Sequence, residues 1–301
     1  MPDITARMLA PRLAESLGQT VVVDNRPGGG GVLGSRLVAE AAPDGHTLLV
    51  TSSSHAFAPA VHAKLPYDTL ADFTGIARTS TASYVLVVPP SLGIASVKDL
   101  LAVAHAKPGQ LNFASAGVGS GTHFAGEMLK FAARLEVVHV PYKGVPEALT
   151  DTMQQMAGIK LTHVPYKGGN DATTAVLGGE LQLAFASATA AVALRSRLKV
   201  LAVTSPARDP SLPDIPTLNE AGLKGYDATF WAGLAAPAGT SQAIVKRLNA
   251  MLREAVSDPE VVKTLQRQGL NAAPSSPQEL TARIRGDYAK WKRVLEGSEA
   301  R

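Results

Sequence analysis

The chain contains no cysteine. That absence removes disulfides, thiolate catalysis, zinc-thiolate sites and iron-sulfur clusters together, and leaves the redox compartment open. No window approaches the roughly 18 unbroken apolar residues of a membrane span, so a soluble chain with no membrane insertion is expected. Lys and Arg never gather into a run, although the formal net charge is +4. This balance suits an anionic ligand, and nucleic acid is not an expected partner. Seven histidines are scattered without an H-x-x-x-H or H-E-x-x-H pair, so neither a metal site nor a cofactor is expected. Met1-Pro2-Asp3-Ile4 has neither a basic stretch nor an apolar one, so no export signal is read at the start.

What is present is an alternation of strand and helix patterns. With 301 residues, 46% of them hydrophobic, the chain can bury one large core or two moderate ones, which favours a two-domain α/β protein. Ile4, Met8, Leu9, Leu13 and Leu17 recur at helical spacing and Gly18 supplies a stop. The β-branched run Thr20 to Val23, a helix around Leu33 to Ala42, the turn Pro43-Asp44-Gly45 and a strand over Thr47 to Thr51 read as a parallel βαβ unit. Further strands are predicted at Tyr84 to Val88, Leu111 to Ala114, Glu136 to Val140, Ile159 to Val164, Leu181 to Phe185, Leu198 to Thr204 and Thr229 to Ala235. Ser96-Val97-Lys98-Asp99 has the capping-box pattern of a helix start, and everything from Ser241 onward reads as helical. The pattern predicts two lobes joined by two crossings: residues 1–92 with 229–301, and residues 93–228. A small ligand would be expected in a cleft between such lobes, lined by loops at the C-terminal ends of the strands.

One segment is doubled. His139-Val140-Pro141-Tyr142-Lys143-Gly144 recurs verbatim as His163-Val164-Pro165-Tyr166-Lys167-Gly168. Either the chain is a true repeat protein or a strand-helix unit has been tandemly duplicated within a fold that needs one copy. A solenoid requires three or more stacked repeats, and two are found, which favours duplication.

Three motifs could carry chemistry. Gly29, Gly31 and Gly34 satisfy G-x-G-x-x-G, the pattern of a nicotinamide-dependent oxidoreductase. Five residues separate the preceding strand from its glycines, however, and no acidic residue follows to hold a ribose. Ser115-Ala116-Gly117-Val118-Gly119-Ser120-Gly121-Thr122-His123 joins a strand to a helix. Its glycines let backbone N–H groups converge where the helix points its positive end, a nest for a carboxylate; a tight capped turn is the other reading. Ser52-Ser53-Ser54-His55 ends another strand and offers hydroxyl donors. A hydrolase would use Ser with His, but G-x-S-x-G is absent and no acidic partner is placed, so no enzyme is expected. Trp231 and Phe230 read as packing at the second crossing.

These residues together resemble a known family. Val21 to Gly28, Ala42 to Leu49, Leu65-Pro66-Tyr67-Asp68, Phe113 to Gly117 with Gly121-Thr122-His123, the Val-Pro-Tyr-Lys-Gly segments, Leu201 to Ser205, Pro213 to Thr217 and Ala235 to Thr240 resemble, in order, the Bug family of periplasmic solute-binding receptors for tripartite tricarboxylate transporters. The resemblance implies an α/β, two-lobed periplasmic-binding-protein fold of type II, each lobe a mainly parallel sheet flanked by helices. It implies a monomer in the periplasm whose lobes close on a small organic carboxylate, without a cofactor, and whose partners are the membrane components of the transporter. Solute contacts carried over by position are Ser53, Ser54 and His55 in the first lobe and Ser115, Ala116, Gly117, Gly119, Ser120 and Thr122 in the second, with the turn Tyr166, Lys167 and Gly168. Against the family's pattern the first strand is expected to be missing and one strand-helix unit surplus, which leaves a truncated, inactive receptor fragment as an alternative. Ala186 also stands where members that bind acidic amino acids carry an aspartate, which argues against an amino-acid solute.

Overall fold

The computed structural model describes residues 2–26, 31–62, 64–115, 120–141 and 182–299. Contacts divide the chain into two compact units, residues 1–82 with 230–295 and residues 83–229 with 296–301. The division falls between Ala82 and Ser83, so the strand Tyr84–Val88, expected in the first lobe, belongs to the second unit.

Unit 1 opens with α1 (Pro2–Leu17), whose inward stripe of Ala6, Leu9, Ala10 and Leu13 is buried. Asp3 pairs with Arg7 one turn on, at 2.9 Å, and Gly18 ends the helix at φ 65, where a side chain would be strained. The predicted strand at Thr20 to Val23 does not form. Among the described residues this segment has no regular secondary structure and joins no ladder, and Val22 is 79% exposed. It is tied to α1 instead, Asn25 Nδ2 donating to Asp3 Oδ1 at 2.7 Å. After α2 (Val32–Ala39) come β1 (Leu49–Ser52) and α3 (Ser53–Val61), with no residue between them. The ten-residue β2 (Phe73–Ala82), which the sequence pattern did not suggest, completes the N-terminal part.

The sheet of unit 1 runs β1-β8-β2-β9, with β8 Phe230–Pro237 and β9 Asn271–Ala272. Every described pair in it is antiparallel, which corrects the expectation of a mainly parallel sheet. The expected parallel partner of β1 was the Thr20 to Val23 segment, and β1 lies instead against β8. All eight residues of β8 are buried, as a central strand covered on both faces requires. Three helices follow the crossing: α7 (Gln242–Ser257), α8 (Pro259–Arg267) and α9 (Pro277–Glu299), so β9 interrupts the expected all-helical tail.

Unit 2 has β3 (Tyr84–Val88), α4 (Val97–Ala106), β4 (Leu111–Ser115), α5 (Gly121–Ala133), β5 (Val137–Pro141), β6 (Leu183–Ser187), α6 (Ala188–Ala193) and β7 (Lys199–Val203). The capping box forms as predicted: Ser96 Oγ accepts the Asp99 N–H at 3.1 Å and donates to Asp99 Oδ2 at 2.8 Å. The sheet order is β5-β4-β6-β3-β7. β4 is parallel to β5 and β6, whereas β3 runs antiparallel to β6 and β7, so this sheet is mixed. The strand predicted at Ile159 to Val164 and both Tyr-Lys-Gly turns lie outside the described residues.

Candidate functional site

Each unit carries a serine-rich junction where a strand runs into a helix. In unit 1, β1 delivers Thr51 and Ser52 directly to the first turn of α3. Ser52 stands at the N-cap, yet its side chain accepts no helix N–H. Its Oγ lies 2.8 Å from Ser54 Oγ instead. The first-turn amides of α3 thus receive no cap from it, at the helix end that carries partial positive charge.

His55, the next residue, turns inward. It is 5% exposed, stacked on Tyr67 with centroids 5.8 Å apart and met edge-on by Phe73 at 4.7 Å. Its Nδ1 is 3.4 Å from Ser35 Oγ. Burial pushes its pKa down from 6.5 to about 4, opposed by a backbone hydrogen bond at Thr69. The structure therefore gives His55 a packing role behind the junction.

That burial sets a pH dependence. The folded state holds His55 neutral, while the unfolded chain binds a proton near pH 6.5, so its contribution is complete above that pH and lost as pH falls toward about 4. Unit 1 should lose about 2 kcal/mol from this group between pH 7 and pH 5. Urea unfolding at the two pH values measures it. His55→Phe keeps a ring in the box without a proton to bind and should lose less; an equal loss would refute the assignment.

In unit 2 the corresponding junction joins β4 to α5. Ser115 is buried at the end of β4. Ser120 caps α5, its Oγ accepting the His123 N–H at 3.2 Å and lying 3.1 Å from Thr122 Oγ1. Farther along α5 the buried Glu127 accepts from Lys130 Nζ at 2.9 Å, with His123 Nε2 at 3.9 Å. Ala116, Gly117 and Gly119, the centre of the expected nest, and Tyr166, Lys167 and Gly168 lie outside the described residues.

A third junction of the same make went unread in the sequence. β6 runs parallel beside β4 and ends at Ser187, which caps α6 by accepting the Ala190 N–H at 3.2 Å. Ser187 Oγ is also 3.2 Å from Thr189 Oγ1. All three junctions share the pattern Ser-x-Ser/Thr: Ser52 with Ser54, Ser120 with Thr122, and Ser187 with Thr189. In each, the hydroxyls two residues apart touch. That spacing was the signal available in the sequence.

No group of three or more potential metal ligands occurs among the described residues, and no described helix is long and apolar enough to cross a membrane. The strand that a dinucleotide fingerprint needs ahead of its glycines is not formed at Thr20 to Val23.

Solved structures place this architecture. A Rhodopseudomonas palustris protein whose structure was solved with adipate is 29% identical, covers 99% of this chain and 92% of its own, and superposes with a TM-score of 0.78. MatC from the same organism, with bound malate, is 28% identical over 98% of this chain and 94% of its own, with a TM-score of 0.76. The periplasmic binding protein BugD gives 26%, 98% and 92%, with a TM-score of 0.75. The fold is that of a two-lobed periplasmic binding protein. In sequence, the profile of the tripartite tricarboxylate transporter family receptor matches residues 5–155 and 149–299, two matches that overlap between the copies of the doubled segment. BugT of Bordetella pertussis is 32% identical over 303 residues, covering 99% of this chain and 86% of BugT. A protein encoded between tcbD and tcbE in a Pseudomonas species is 35% identical over 296 residues, covering 97% of this chain and 81% of its own. The chain belongs to the tripartite tricarboxylate transporter receptor family, among the Bug-type receptors.

Proposed function

We propose that this protein is a periplasmic receptor that captures a small organic carboxylate and delivers it to the membrane components of a tripartite tricarboxylate transporter. The observation that carries the reading is the pair of strand-to-helix junctions with hydroxyls at helix N-termini, one in each unit, in a family whose solved relatives hold adipate and malate. Hydroxyls and first-turn amides favour an anion without needing a cation.

In this reading Ser53 and Ser54 of unit 1 and Ser115, Ser120 and Thr122 of unit 2 replace the water around the solute, together with the backbone of Ala116, Gly117 and Gly119 and the turn Tyr166, Lys167 and Gly168. His55 supports the first junction from behind. The protein acts as a monomer and makes no covalent bond to its cargo, and binding shifts the population of its conformers.

A thermal-shift screen against malate, adipate, citrate and benzoate tests this. A ligand that binds only the folded state stabilises it by about 2.7 kcal/mol at a hundredfold excess over Kd, so at least one acid should raise the melting temperature by several degrees. A flat response across all four, confirmed by calorimetry, would refute carboxylate capture.

A further inference from the structure

We propose that Tyr84 is a solute-contacting residue of unit 2, its phenol hydroxyl donating a hydrogen bond to a carboxylate seated at the N-terminus of α5. The inference rests on the carboxylate reading above and adds a side chain that the sequence presents only as the start of a strand.

Tyr84 opens β3, and its Cα partner on the neighbouring antiparallel strand is Ser187, the cap of the third junction. Residues directly opposed in this way send their side chains to the same face of the sheet. α5 packs against β4 and β6, and its first residue, Gly121, meets the phenol: a Cβ added at Gly121 would overlap the Tyr84 hydroxyl and lie 2.6 Å from Cζ. Glycine is required at that position so that the helix end and the ring can approach this closely. The hydroxyl is thereby held against the first turn of a 13-residue helix, whose leading N–H groups lack intrahelical acceptors and whose end favours negative charge.

The phenol is also short of a partner. Tyr84 is 7% exposed; its backbone N–H donates to Thr204 Oγ1 and its carbonyl accepts the Thr204 N–H, each at 2.9 Å, whereas its hydroxyl makes no hydrogen bond among the described residues. The phenol oxygen is not among the fully enclosed unpartnered atoms of the described residues, so it borders accessible space, where a carboxylate at the α5 terminus can take the place of water as its acceptor. Burial raises the phenol pKa well above its usual value, so the group remains a neutral donor throughout the physiological range. It can then bind an anion at no cost in competing charge, and hydrogen bonds from neutral donors to carboxylates are among the stronger ones.

Tyr84→Phe keeps the ring on Gly121 and removes only the oxygen. For whichever of malate, adipate, citrate or benzoate the wild type binds, calorimetry should show the dissociation constant rising about tenfold or more, in line with loss of a hydrogen bond to a charged group. The ligand-free melting temperature of the variant should be equal to or above that of the wild type, because no intramolecular bond is lost. Unchanged affinity would overturn the assignment while leaving the receptor reading intact. A fall in ligand-free stability together with affinity would overturn it as well, by making the hydroxyl a structural group. Absence of wild-type binding to any of the four acids removes the carboxylate reading itself, and this inference with it.

Discussion

Replacing Asp287 with alanine is expected to cost unit 1 about 3–5 kcal/mol, the scale for deleting one partner of a buried charge network. Asp287, on α9, is 4% exposed. One of its carboxylate oxygens accepts the indole N–H of Trp231 at 2.7 Å and Arg283 Nε at 2.9 Å, and the other faces Lys290 Nζ at 2.9 Å. Trp231 lies wholly buried in β8, packed with Ala56, Leu280 and Ile284. The carboxylate thus fastens the C-terminal helix to the central strand, and alanine would leave an indole N–H and two cations around an apolar stub. Both tryptophans of the chain, Trp231 and Trp291, belong to unit 1, so their fluorescence reports its unfolding in urea. Asp287→Asn retains an acceptor for the indole and should lose less. A midpoint within error of the wild type for Asp287→Ala would show that the network is dispensable.

The second large effect is expected at Gly233, in the middle of β8. A Cβ there would stand 2.7 Å from the backbone carbonyl oxygen of Ala77 and 3.2 Å from Arg78 Cα, both on β2. The crowding has a local cause, since β2 slips register twice around this point, between Gly75 and Ala77 and between Arg78 and Ser80. Bulges bend a strand and increase its local twist, and the absence of a side chain on β8 leaves room for the close approach of the β2 main chain. Because the obstacle is main chain, no rotamer change relieves it. Gly233→Ala should therefore fall at the top of the overpacking range, about 3 kcal/mol, read again by tryptophan fluorescence in urea. Full retention of stability would mean that β2 can retreat without losing its ladder.

Much of the fold was legible where local chemistry alone decides the outcome. α1 followed from its apolar spacing, α4 from its capping box, and β3, β4, β6, β7 and β8 from short apolar runs. Misreadings arose where a partner decides. Thr20 to Val23 has the β-branched composition of a strand, but such composition describes how a residue fits a sheet and does not supply a neighbour. β2 was unread for the opposite reason: Thr74, Gly75, Thr79, Ser80 and Thr81 are small and polar, show no alternation, and become strand through pairing with β8 and β9. The parallel sense expected in unit 1 failed with the missing ladder at Thr20 to Val23.

The junction serines were visible by residue type at the ends of predicted strands. The burial of His55 was not, because Ser35, Tyr67 and Phe73 reach it from separate parts of the chain. Ser187 and Thr189 were hidden in an alanine-rich stretch, and Tyr84 showed its relation to Gly121 only once β3 and α5 were placed together.

The order of strands in unit 1 also governs the sequence in which the chain can fold. β1 and β2 do not pair with each other; each takes β8 as its neighbour, and β8 follows the whole of residues 83–229 in the chain. The first 82 residues must wait, with two sheet edges unmatched, while the contiguous middle segment can complete its own sheet. A chain delivered N-terminus first to the compartment where it folds can therefore complete its middle segment before its first, and the sheet of unit 1 stays open until Phe230 arrives.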